Sequence, residues 1–309
     1  GITWSAIASD QIAIRYSPAG FLWDSKGAMG FGKNVFFFLG MLNSVVSEDI
    51  LKVLSPTLDF KVGDIIKIPL LEVDRNVIES TVAELISLSR SDWDEYETSW
   101  DFKANPLVRE GWQKNAVGMS LEVAWAAVFA RQMECAARMK ELEEENNRLF
   151  IKAYGLEDEL KPDVAWKDVS LTGNPFYRYK VDATDAAVAG TVADATSASL
   201  PVRVPPEWTA RACADAVREL ISYGIGCLMG RYSLAKEGLI LASQGETVAD
   251  YWRKVASGEG LTTISPDDDG IIPLVAGETA FTDNAPQRIV DFIRVAFGEA
   301  NLTANLNFI

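Results

Sequence analysis

Apolar positions change their spacing twice along this chain. In residues 1–70 they fall in short pieces, IAIRYS and GFLWD, with the composition of strands. The denser run VFFFLGMLNSVV follows and predicts a helix from Asn34 to Leu54 that ends at Ser55-Pro56. Leu58-Asp59-Phe60-Lys61-Val62 and Ile65-Ile66-Lys67-Ile68-Pro69-Leu70 flank Gly63-Asp64 in a hairpin pattern, with Pro69 closing the second strand. SKGAMGFGKN reads as a glycine-rich turn.

From Asp74 the period becomes helical: Val77, Ile78, Val82, Leu85 and Ile86 share one face of a helix running to about Arg90, with Asp74 as N-cap. An aromatic, acidic connector, SDWDEYETSWDF, precedes a long helix capped by Ser120, extending to Tyr154 and stopped by Gly155. Along it Leu121, Trp125, Val128, Gln132, Cys135, Met139, Leu142, Asn146 and Leu149 alternate spacings of four and three, a coiled-coil seam. Gln132 and Asn146 are polar, so the seam suits packing against a neighbouring helix better than a free zipper. Residues 182–204, rich in Ala, Thr, Ser and Asp, read as a linker or flexible loop closed by Pro205-Pro206. Further helices are expected from Ala210 to about Gly230, Thr247 to Ala256 and Pro286 to Phe297. The expected fold class is α+β: a mixed α/β segment over 1–72, a helical spacer over 73–165 and a mainly helical domain over 166–309.

Composition narrows the function classes. With 309 residues, 48% of them hydrophobic, the chain can bury a sizeable core. Its most apolar run, Val35 to Val46, is broken by Gly40, Asn43 and Ser44 and falls short of the ~20 residues of a membrane span. Three scattered cysteines, Cys135, Cys213 and Cys227, form no disulfide framework, and a reducing cytoplasm is the expected setting. The absence of histidine removes the usual general base, the usual zinc ligand and every His-dependent nucleophile arrangement. The N-terminus, GITWSAIASDQ, has no initiating Met and no signal-peptide pattern, as expected of a piece excised from a longer protein. The net charge is −15 and unevenly spread: residues 1–70 carry six basic and six acidic side chains, residues 72–163 eleven against twenty. The second stretch repels polyanions, so the chain alone is expected to bind DNA weakly.

Four motifs invite chemistry. Asn174-Pro175-Phe176-Tyr177 is one residue from the Asn/Asp-Pro-Pro-Tyr/Phe tetrapeptide of adenine-N6 methyltransferases, where the Asn side chain and a Pro carbonyl accept from the target amine and the ring stacks on the flipped base. The preceding WKDVSLTG is a poor strand and the second proline is Phe176, so a structural turn is expected. Gly27, Gly30 and Gly32 follow no apolar strand and have no acidic residue at the offset a ribose-binding carboxylate requires, which argues against a cofactor loop. Within Ser222 to Ser233 the small residues suit close helix packing, while Arg231 and Tyr232 at the helix end are candidates for phosphate contact. Pro266-Asp267-Asp268-Asp269-Gly270 lacks the closing Glu of a calcium loop and reads as an exposed turn. No metal ligand set and no catalytic residue is assigned.

Many short segments, taken in order, resemble one family. GITWSAIAS, RYSPAGFLWD, FFLGMLNSVVSEDILKVLSPTLDFKVGDIIKIPL, SDWDEYETSWDF, ENNRLFIKAYGLEDEL, DVSLTGNPFYRY, ISYGIGCLMGRYSLAKEGLILASQGE, PDDDGIIPL and RIVDFIRVAFGEANLTANLNFI are similar to the C-terminal part of PglX-type methyltransferases, the adenine-specific DNA methyltransferases of bacteriophage-exclusion (BREX) systems. That resemblance implies that the S-adenosylmethionine-binding and catalytic domain lies upstream, with no cofactor held in the present residues. LGMLNSVVSEDILKVLSP followed by DIIKIPL also resembles the end of target-recognition domains, placing the target-recognition-like part at 1–72. The implied partners are double-stranded DNA, the upstream methyltransferase domain and other phage-defence proteins. Candidate DNA-facing groups are Arg15, Lys26, Lys33, Asn34 and Lys61, with Arg178 and Arg231 behind them. The alternative is a protein-docking module, in which Trp93, Tyr96 and Trp100 of the acidic connector meet other components.

Overall fold

The computed structural model describes residues 1–7, 12–24, 26–55, 59–71, 73–113, 119–181, 192–193, 199–255, 264–274 and 283–309. In chain order its principal elements are β1 (Ile2–Ser5), β2 (Arg15–Tyr16), β3 (Gly27–Gly30), α1 (Val35–Leu42), α2 (Val45–Leu54), α3 (Val62–Ile65), α4 (Arg75–Trp93), α5 (Pro106–Gln113), α6 (Leu121–Tyr154), α7 (Pro175–Arg178), α8 (Pro206–Leu228), α9 (Val248–Val255), α10 (Ala285–Phe297) and α11 (Leu302–Phe308). The fold is α+β, as the sequence pattern requires. Two compact units are each assembled from two stretches of chain, 1–90 with 135–170 and 91–134 with 171–309. The division differs from the three consecutive segments of the sequence, because α6 gives its first fourteen residues to one unit and the rest to the other.

In the first unit, β1 lies between β2 and β3 in an antiparallel sheet, with Thr3 opposite both Arg15 and Met29, and Ile2 opposite both Tyr16 and Gly30. Alternation sends Ile2 and Trp4 into the core. The Trp4 indole N–H donates to the Phe60 carbonyl at 3.2 Å. Gly30 packs closely on β1: a Cβ there would meet the Ile2 side chain at 3.1 Å, a contact that requires Ile2 to give by a few tenths of an ångström. GAMG is therefore a strand and not the glycine-rich turn expected.

The apolar run 34–54 forms two helices. Asn43 closes the first and Ser44 caps the second, accepting from Ser47 N–H, while the Asn43 side chain turns sideways to exchange hydrogen bonds with the Ile14 backbone. α1 packs tightly: a Cβ on Gly40 would lie 2.9 Å from Ile78, Val82 and Asn146, and the Asn146 amide donates to the Gly40 carbonyl at 2.9 Å.

Two further expectations are corrected. The 58–70 hairpin is replaced by the single turn α3. The inward residues, Ile65 at the end of α3 and Ile68 just beyond it, at 8% and 6% exposure, are spaced by three, whereas Ile66 is 76% exposed. GFLWD is not a strand: residues 21–24 carry no regular structure. In α6, the buried positions include Ala124, Phe129, Met133, Ala136, Phe150 and Ile151 as well as members of the four-three seam. The covered face is thus wider than a two-helix coiled-coil seam.

The second unit packs around Tyr223 of α8, whose ring stacks on Tyr232 at 5.1 Å and meets Phe102 and Phe292 edge-on. The small residues of this stretch are explained by that crowding. A Cβ on Gly224 would lie 2.9 Å from Phe292, and one on Gly226 2.6 Å from Tyr232. Pro206 opens α8 at its first turn, where a missing N–H costs nothing. The linker expected over 182–204 lies mostly outside the described residues. Within it Val192–Ala193 pairs antiparallel with Ser199–Leu200.

Candidate functional site

The Asn174-Pro175-Phe176-Tyr177 stretch is built into the second unit. Asn174 has no exposed surface, and its Oδ1 accepts the Phe176 N–H at 3.1 Å, capping the one-turn α7, with Pro175 in the first turn. Behind it, the Asp92 carboxylate accepts the Thr172 and Gly173 N–H groups at 2.7 and 2.8 Å. Burial pushes the Asp92 carboxyl above its usual range, against the pull of those two N–H groups. Gly173 is required: a Cβ would sit 2.9 Å from Gln132 and 3.1 Å from Asp92. The adjoining cavity, lined by Tyr96, Trp125, Gln132, Gly173, Arg178 and Glu219 among others, encloses about 30 Å³. That is room for water rather than a nucleobase. The tetrapeptide is a structural turn, as its poor strand context indicated.

Around this turn, charges are satisfied within the unit. Arg178 is 27% exposed at its side chain, donates to Glu219 at 2.8 Å and lies 3.5 Å from Asp215. Its guanidinium also faces the Tyr96 and Tyr179 rings at 5.8 and 5.9 Å. Burial raises the Glu219 carboxyl, and Arg178 opposes it. Tyr179 donates to Asp215 at 2.8 Å and stacks on Trp208, with Arg211 over its ring at 4.4 Å. Glu95 accepts from Arg109 (2.8 Å), Arg131 (2.9 Å) and Gln132 (3.2 Å). Sequence reasoning missed this network. Its links, Asp92 to Thr172 and Gly173, Glu95 to Arg131 and Arg178 to Glu219, join residues too far apart in the chain for any local spacing to reveal. Arg178 thus has carboxylate partners and is a poorer group for phosphate than its position in the sequence suggested.

The remaining candidates are more open. Arg15 is exposed on the sheet-edge strand β2, and Lys26 and Lys33 are exposed on either side of β3. Among the described residues none of the three forms an ion pair. Asn34 stands before α1 without a side-chain cap bond. Lys61 lies 3.6 Å from Asp59 and is exposed. Arg231 is exposed just beyond α8, its backbone N–H held by the Gly226 carbonyl at 2.8 Å. Five of the seven candidates belong to the first unit; Arg178 and Arg231 belong to the second. In the 266–270 loop, Asp267 and Asp269 both accept the Ile271 N–H at an exposed turn closed by Gly270 at φ 75°. In the acidic connector, Tyr96 belongs to the Arg178 network, while Trp93 and Trp100 are exposed, Trp100 to 91%.

No family model matches the chain. Two curated proteins do. The adenine-specific methyltransferase PglX of Lacticaseibacillus casei (strain Zhang) is 33% identical over 313 aligned residues, covering all of this chain and 22% of that protein. The adenine-specific methyltransferase BrxX of Escherichia coli O9:H4 (strain HS) is 30% identical over 314, again covering all of this chain and 23% of the relative. The likeness first visible in scattered segments is therefore continuous: the chain matches PglX- and BrxX-type adenine-specific methyltransferases from end to end and spans under a quarter of their length.

Proposed function

We propose that this chain is a non-catalytic target-recognition region of an adenine-specific DNA methyltransferase, working beside a catalytic domain that binds S-adenosylmethionine. The observation that carries the reading is the end-to-end likeness to adenine-specific methyltransferases more than four times as long. The buried, helix-capping Asn174 supports it, because the one tetrapeptide that looks catalytic has its amide engaged within the fold. The exposed cations Arg15, Lys26 and Lys33, without ion pairs among the described residues, give the first unit groups that can reach DNA. Phosphate contacts made elsewhere would supply most of the affinity, and a few hydrogen bonds to base edges here would supply discrimination of ~1–3 kcal/mol each. The setting is cytoplasmic, and the substrate is double-stranded DNA.

The test is the salt dependence of duplex binding by the full-length protein, with and without Arg15→Ala, Lys26→Ala and Lys33→Ala together. If these side chains touch phosphates, the slope of log affinity against log salt falls by about 0.9 for each phosphate that is no longer neutralised. An unchanged slope and affinity would remove this surface from DNA binding.

A second reading, docking onto another protein, is favoured by one observation. Trp93 and Trp100 stay exposed amid the acids of the connector, a mixture better suited to a protein surface than to phosphate. Trp93→Ala with Trp100→Ala would then disrupt complex assembly while leaving DNA affinity intact.

A further inference from the structure

The first unit exposes an apolar corner that its own core does not use. Phe21, Leu22, Trp23 and Phe31 are all more than half exposed, and Leu22 reaches 94%. Trp23 and Phe31 form an edge-to-face pair with ring centroids 5.0 Å apart. In such a pair one ring keeps both faces clear of its neighbour. The corner sits beside the sheet: Phe31 directly follows β3, and residues 21–24 lead toward it.

The charges carried by this part of the first unit are unusual in an acidic chain: Lys26 and Lys33 follow Trp23 and Phe31 closely in sequence, and Arg15 lies on the other edge strand of the same sheet. Arg15, Lys26 and Lys33 are exposed and without ion pairs among the described residues. Asp24 is the sole acid between residues 12 and 33, and its carboxylate turns back to accept the Lys26 and Gly27 N–H groups at 2.8 and 3.0 Å. With the chain at −15, an approaching polyanion is repelled from most of the surface and favoured at this cationic corner. The backbone is also accessible there, for a Cβ on Gly20 or Gly32 would meet no atom within 4 Å.

We propose that the Trp23–Phe31 corner, with Phe21 and Leu22 just before Trp23 in the chain, Lys26 three residues after it and Lys33 two residues after Phe31, stacks against DNA bases that have left the helical stack. The inference rests on the DNA-recognition reading and adds the mode of contact. Adenine-N6 chemistry requires the target base to leave the duplex, which exposes the faces of its neighbours. Aromatic side chains stack on such faces regardless of base identity, while flanking cations hold the phosphates. A protein partner would be served by the rings but leave Lys26 and Lys33, close by in the chain, without a role.

The experiment is photo-crosslinking of the full-length protein to duplexes with 5-iododeoxyuridine either paired or unpaired, followed by mapping of the linked peptide. Crosslinks are expected at Trp23 or Phe31, stronger with the unpaired base. Trp23→Ala combined with Phe31→Ala should weaken binding to unpaired-base DNA by about 5- to 150-fold, the equivalent of ~1–3 kcal/mol per stacked base, and weaken fully paired DNA much less. Leu22→Ala, at a side chain that is almost wholly exposed, serves as a second variant should the double variant misfold. Its binding to unpaired-base DNA should fall while its circular dichroism is unchanged. Crosslinks confined to other residues, with DNA binding intact, would overturn this proposal and leave the recognition reading standing. DNA binding wholly indifferent to every residue of the chain would overturn both. Burial of the corner in a self-associated form whose sedimentation does not respond to DNA would also overturn the proposal.

Discussion

Replacing Asn174 distinguishes a structural turn from an active site. In Asn174→Ala the Phe176 N–H loses its acceptor at 3.1 Å in a place without solvent access. Loss of an N-cap costs about 1 kcal/mol, with a range of ~0.5–2. The expected destabilisation is therefore about 1 kcal/mol, within ~0.5–2. For a urea dependence of about 2 kcal/mol per molar, the unfolding midpoint followed by circular dichroism should fall by ~0.5 M. Asn174→Ser retains an acceptor at the cap and should recover a good part of that loss. Under conditions where the variants remain folded, methyl transfer by the full-length protein should be retained. An unchanged midpoint combined with abolished methyl transfer would refute the argument and return Asn174 to the reaction.

Three other outcomes follow from particular contacts. Gly40→Ala, in an α-helix where alanine is ordinarily favoured by ~1 kcal/mol, should instead destabilise by about 1–3 kcal/mol, because its Cβ would overlap Ile78, Val82 and Asn146; denaturant titration reads the sign directly. Glu143 is pushed up from an ordinary 4.5 to about 8, chiefly by burial and then by Asp168. Its charged form is disfavoured in the fold, the native state holds the proton longer, and stability should decline as pH rises from about 4.5 to 8. Glu143→Gln should flatten that decline by a few kcal/mol, and an unaltered pH profile would contradict the assignment. Cys227 is fully buried and its thiol is pushed up to about 12 by burial, so it should resist a thiol reagent at pH 8 until unfolding, while the partly exposed Cys135 and Cys213 react first.

The helices were legible where capping and periodicity agreed. α6 begins after Ser120 and ends at Gly155, whose φ of 67° explains the glycine. The break between α1 and α2 was written in Ser44 as a cap, but the apolar run on both sides concealed it. Residues 58–70 were misread because Gly63-Asp64 resembles a hairpin turn. The decisive clue was the spacing of three between Ile65 and Ile68, which only burial reveals. GAMG has weak strand propensity and becomes a strand through pairing with β1, a long-range effect.

The site was legible in part. The strand-poor context of Asn174 pointed correctly to a turn, whereas the carboxylate partners of Arg178 and the clasp of Asp92 on Thr172 and Gly173 join residues distant in the chain. The aromatic connector divided by environment: Tyr96 turned into the unit and Trp100 remained outside, a distinction composition does not carry.

The most direct test exchanges the region equivalent to this chain between two full-length PglX/BrxX-type methyltransferases with different recognition sequences, then maps methylated adenines across a genome. The methylated motif should change with the transplanted region while methyl transfer persists. A motif that stays with the recipient's remaining sequence, in a hybrid that still methylates, would contradict the claim that these residues direct target choice.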